Sequence, residues 1–111
     1  MRKRDNFSQL KLRGLLGALE VLDDAVTVSQ LKFFLNIALS EGSSIVDLSE
    51  AMNYAQPMAS RDMDVWSEIG RQGRPGLGYT ERRDSPSDRR VRECYLSASG
   101  HKLAKRLAEA L

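Results

Sequence analysis

Phe7, Leu10, Leu12, Leu15, Leu16, Leu19 and Leu22 recur at helical spacings and predict a first helix over residues 6–24. This apolar stripe is wide for one small domain, so part of it is expected to face a second subunit. The alternative is a helix packed wholly on its own core. Gly14 and Gly17 each cost about 1 kcal/mol of helix propensity and would let another backbone approach closely. The second helix has a sharply marked start. Thr27-Val28-Ser29-Gln30 reads as a capping box, with Val26 and Leu31 at the positions of a hydrophobic staple. From Val28 to Leu39 the segment is apolar nearly all round and is expected to be the central buried helix, closed by Gly42 in a left-handed conformation.

Ser44-Ile45-Val46-Asp47 opens a short third helix with another capping pattern and turns Ile45, Leu48 and Met52 inward. Asn53 accepts a positive φ and so allows a sharp turn. A fourth helix starts near Gln56-Pro57, where proline suits a first turn, and Ala59, Met63 and Trp66 form one buried stripe. Two short helices joined by a tight turn make a helix-turn-helix. Four glycines and a proline between Gly70 and Gly78 predict a loop. A strand over Tyr79–Arg83, a turn at Asp84-Ser85-Pro86-Ser87 and a returning strand over Val91–Leu96 follow. Ser97 caps a last helix with Leu103, Leu107, Ala110 and Leu111 on its apolar side.

The expected fold is therefore α+β and mainly α: a single winged helix-turn-helix domain over residues 1–111. Its parts are an N-terminal dimerisation helix (6–24), the helix-turn-helix (44–69), a β-wing (77–96) and a C-terminal helix (97–111), the terminal helices forming a dimer interface.

At 111 residues the chain suits one domain, and no apolar run approaches the roughly 20 residues of a membrane span. Met1-Arg2-Lys3-Arg4 is basic, but the residues after it are not the apolar region of a signal peptide. The single cysteine cannot form an internal disulfide and fits a reducing cytoplasm. Net charge is only +2, yet it is polarised: residues 5–68 balance at −6 and residues 71–106 at +6. That asymmetry suggests one face meant for a polyanion, against the plainer reading of an unevenly charged solvated surface.

Asp88-x-Arg90-x-x-x-Cys94-x-Leu96-Ser97-x-x-Gly100 resembles the signature region of the MarR family of bacterial transcription regulators. There the pattern is Asp-x-Arg, three residues, Leu-x-Leu-Thr, two residues, Gly. Residues 45–52 look like the family's first helix of the helix-turn-helix, and Ser60-Arg61 falls where its recognition helices carry Ser-Arg. The similarity runs from Thr27 to Gly100. Three departures stand out: an insertion over Gly70–Gly76, a C-terminal helix cut short at Leu111, and a recognition helix made acidic by Asp62, Asp64 and Glu68.

The resemblance implies a cytoplasmic, homodimeric, duplex-DNA-binding repressor, and relatives often bind small aromatic or phenolic effectors near the dimer interface. No residue here singles out such a pocket. In this reading Arg61 takes guanine in bidentate fashion, Gln56 reads adenine and Ser60 positions a phosphate. Arg82, Arg83, Arg89 and Arg90 flank the wing turn, with Arg71 and Arg74 in the preceding loop, all candidates for phosphate or minor-groove contact. Asp88 is expected to hold a neighbouring arginine in position. The alternative is a winged-helix protein-interaction module in a transcription or replication complex, motivated by the acidic recognition helix and the long loop. Cys94 reads as a buried structural thiol rather than a redox sensor, and His101 has no partner at metal-ligand spacing. No cofactor is expected, and no nucleophile–base pairing or phosphate loop supports an enzyme.

Overall fold

The computed structural model describes residues 9–22, 26–67, 76–88 and 90–110. Five helices and a three-stranded antiparallel sheet follow in the order α1 (Gln9–Glu20), α2 (Val28–Leu39), β1 (Ser43–Ser44), α3 (Ile45–Met52), α4 (Gln56–Trp66), β2 (Thr80–Asp84), β3 (Arg92–Leu96) and α5 (Ala98–Glu109). The sheet order is β1-β3-β2, with Thr80 opposite Leu96 and Asp84 opposite Arg92. The fold is a mainly helical winged helix-turn-helix.

Local chemistry sets the helix boundaries. Thr27 accepts from the Gln30 amide at 3.0 Å while the Gln30 side chain accepts from the Thr27 amide, and Ser44 and Asp47 repeat the exchange at α3. Asn53 ends α3 in the left-handed conformation, φ 54°, which turns the chain sharply into α4. Pro57 sits in the first turn of α4, where its missing N–H costs nothing.

The core gathers Phe33, Phe34 and Ile37 of α2, Leu48 of α3, the Ala59–Met63–Trp66 stripe of α4, Cys94 and Leu96 of β3, and Leu103 and Leu107 of α5. Each large side chain there contributes about 1.5–3 kcal/mol by leaving water. Phe34 and Trp66 pack with ring centroids 4.9 Å apart, and the Trp66 indole N–H donates to the Gln30 carbonyl at 2.9 Å. α4 is thereby anchored to the first turn of α2.

Two expectations need correction. α2 is not buried all round: Val28, Leu35 and Leu39 are exposed, because among the described residues nothing covers that side of the helix. Gly42 has a positive φ of 95°, but α2 already ends at Ser40, and the glycine serves the turn into β1. β1 itself was not foreseen. Within the chain Gly14 meets only ordinary contacts among the described residues, since a Cβ there would meet Ala110 at 3.8 Å. Tight approaches lie at Gly76 and Gly100, where a Cβ would fall 1.8 Å from the Ser67 carbonyl oxygen and 1.9 Å from the Tyr79 carbonyl oxygen.

α1 packs along α5, with Ala18 buried and Leu15, Leu19 and Leu22 partly buried. Leu10, Leu12 and Leu16 stay exposed, Leu10 at 81%. Phe7 and Leu111 lie outside the described residues.

Candidate nucleic-acid interface

The outer side of α4 carries Gln56, Ser60 and Arg61, all exposed, opposite the buried Ala59–Met63–Trp66 stripe. Arg61 enters no ion pair or hydrogen bond among the described residues and is open to an external acceptor. The two described acids of the helix each have a partner elsewhere in the chain. Asp62 accepts from the Tyr54 hydroxyl at 2.6 Å, bracing the turn between α3 and α4. This burial and the adjacent carboxylate push the Tyr54 hydroxyl's pKa well above its ordinary value. Asp64 is paired with Arg82 at 2.8 Å. The acidity that seemed to count against DNA contact is spent on holding α4 in place; Glu68 lies outside the described residues.

Hydrogen bonds fix the base of the wing. The amides of Leu77, Gly78 and Tyr79 donate to the carbonyls of Val65, Ser67 and Trp66, so the incoming chain satisfies the last acceptors of α4. Ser97 donates its hydroxyl to the Gly78 carbonyl at 2.7 Å and accepts from the Gly100 amide at 3.1 Å. It thus joins the start of the wing to the start of α5. Cys94 and Leu96 point into the core from β3. Burial pushes the Cys94 thiol up to about 11, so it is held protonated.

Strand alternation then sorts the wing arginines. Thr80, Arg82, Cys94 and Leu96 share the helix side, whereas Glu81, Arg83, Glu93 and Tyr95 share the other. Arg82 is half-buried against Asp64 and serves as a strut between wing and α4. Arg83 points away, bonded to Glu81 and stacked over the Tyr95 ring at 4.2 Å. Its guanidinium pKa is raised by the Glu81 hydrogen bond. Of the sequence-identified wing arginines among the described residues, Arg82 and Arg90 face the α4 side, and Arg90 is the one open to water. Its side chain is 91% exposed and oriented by Asp88, which accepts from the Arg90 amide at 3.0 Å and from its Nε at 3.2 Å. Those bonds lower the Asp88 carboxyl below its ordinary range. Arg71, Arg74 and Arg89 lie outside the described residues.

An open groove of about 410 Å³ runs between the first turn of α3, the outer face of α4 and the wing. Gln56, Ser60, Arg82 and Arg90 line it together with Asp64, the partner of Arg82, and with Val46, Val91 and Arg92, which sequence reasoning did not single out. The parity of Arg92 with Cys94 along β3 was the available signal. Among the described residues no group of three or more His, Cys, Asp or Glu could hold a metal ion, and no helix is long and apolar enough to cross a membrane.

No model of a known protein family matches the sequence, and no curated protein matches it either. Solved structures do resemble it. Wild-type apo MarR from E. coli superposes with a TM-score of 0.66 at 22% identity, covering 92% of this chain and 68% of that one. The transcriptional regulator Tm0710 from Thermotoga maritima gives 0.66 at 18% identity, over 89% and 65%. A mutant of S. aureus MepR bound to an oligodeoxyribonucleotide gives 0.67 at 19% identity, over 91% and 67%. The chain has the winged-helix fold of these MarR-type regulators and spans about two-thirds of their length.

Proposed function

We propose that the protein binds duplex DNA sequence-specifically as a homodimeric transcription regulator, and that it represses. The observation that carries this reading is the convergence of α4 and the wing on one groove. Gln56, Ser60 and Arg90 line that groove and Arg61 is exposed on the same helix, while Asp64, also on the groove, is paired with Arg82 and Asp62 accepts from Tyr54. In this arrangement α4 enters the major groove, Arg61 takes a guanine edge and Gln56 an adenine edge. Ser60 and Arg90 contact the backbone or the adjacent minor groove. The binding of DNA by the MepR mutant of the same fold supports the assignment.

The exposed Leu10, Leu12 and Leu16 on α1 support a second copy as partner, since an isolated protomer leaves them in water. A two-fold dimer places its half-sites about 34–36 Å apart. Such a protein acts in the cytoplasm, where bacterial DNA lies, by occupying a promoter. It needs no cofactor and performs no catalysis; its solved neighbours are regulators.

Titrating a labelled duplex with wild-type protein and with R61A tests the reading. Arg61→Ala is expected to cost about 1–3 kcal/mol on a preferred duplex and much less on a scrambled one. Equal losses on both would show that α4 does not read bases.

A further inference from the structure

Among the described residues the wing holds three exposed acid–arginine pairs, and two of them are already described: Glu81–Arg83 on the far side and Asp88–Arg90 at the tip. The third is Asp84–Arg92, across the last register pair of β2 and β3, with Arg92 Nε 3.8 Å from Asp84 Oδ1 and both side chains 65% exposed. Arg92 shares the helix side of the ribbon with Arg82 and lines the groove beside Arg90. Among the three groove arginines Arg82 is held at 2.8 Å by a half-buried partner, whereas the Arg92 pair is longer and open to water. Such a pair exchanges easily for a stronger acceptor.

We propose that Arg92 is a further DNA-phosphate contact of this protein, and that Asp84 tunes it by competing with the phosphate for the same guanidinium. The inference rests on the DNA-binding reading and adds a residue to it. In the free protein Asp84 lies beside Arg92 at the groove. On binding, a backbone phosphate takes the guanidinium and releases a counterion, while Asp84 returns to water. Val46 and Val91, both exposed on the groove, then lie against the sugars on either side of that phosphate.

The test is fluorescence anisotropy on a labelled duplex long enough for two half-sites, over about 50–200 mM salt. It compares wild type, R92A, R92K, D84N and the D84N/R92A double variant. Losing one phosphate contact per protomer, two per dimer, flattens the salt dependence, so wild type should lose about tenfold more affinity than R92A over that range. R92K keeps the charge and should keep the slope. D84N should tighten binding about two- to fivefold in the wild type and leave R92A unchanged. A slope for R92A equal to that of wild type, with an unchanged circular-dichroism melt, would overturn the Arg92 contact. Equal tightening by D84N in both backgrounds would overturn the competition, leaving Asp84 as a general repeller of DNA. Failure of wild type to bind any duplex at the lowest salt would instead overturn the DNA-binding reading itself.

Discussion

Arg82 Nη2 lies 2.8 Å from Asp64 Oδ1, so the first strand of the wing is tied to the outer side of the recognition helix. Both side chains are largely shielded, at 25% and 21% exposure, and the same guanidinium lies 3.5 Å from the Ser60 carbonyl oxygen. The pair therefore fixes the angle between the two elements that would touch DNA. Asp64→Ala leaves a half-buried cation without its partner and should lower stability by about 1–2 kcal/mol in urea unfolding. Asp64→Asn keeps one acceptor and should cost less.

A second prediction concerns Gly100. A Cβ there would collide with the Tyr79 carbonyl, which is backbone and cannot swing aside. Gly100→Ala should destabilise the fold by about 2 kcal/mol or more, read by thermal or urea unfolding. Gly14→Ala, by contrast, meets only ordinary contacts at Ala110 and gains helix propensity. It should stabilise by up to about 1 kcal/mol. If Gly14→Ala instead lowered the dimerisation constant, α1 would be shown to approach a partner helix at that glycine.

Cys94 makes a third. Its thiol is raised from an ordinary value near 9 to about 11 because burial penalises the thiolate. A folded-state value above the unfolded one stabilises the protein fully below pH 9, and that contribution is lost as pH rises toward 11. Stability of wild type should therefore fall faster over this alkaline window than that of Cys94→Ala, measured by urea midpoints. At neutral pH the thiol should react with a disulfide reagent only as fast as the chain opens.

Rules that act within a few residues were readable from the chain. The capping boxes at Thr27 and Ser44, the turn at Asn53 and the Ala59–Met63–Trp66 stripe depend on local chemistry, and each is where spacing placed it. β1 was not readable, because two serines become a strand only by pairing with Cys94 and Glu93, some fifty residues away in sequence. Leu39 and Val28 follow an apolar pattern but face water, since pattern alone does not say whether a neighbour exists.

The candidate site was partly legible for the same reason. Gln56, Ser60 and Arg61 fall on the outer side of α4 once its buried stripe is known. The wing arginines were harder. Arg82 and Arg83 look alike in sequence, yet one braces the recognition helix and the other stacks on Tyr95 across the ribbon. Counting parity back from Cys94 separates them and also brings Arg92 to the groove. The acids of α4 could not be discounted without their long-range partners, Tyr54 and Arg82.

The most direct test of the central claim is selection of the purified protein against a random duplex library, with the R61A/R90A double variant alongside. The account predicts that wild type enriches an inverted repeat with half-sites one helical turn apart and that the double variant does not. Enrichment of no motif by wild type, or of the same motif by both proteins, would contradict it.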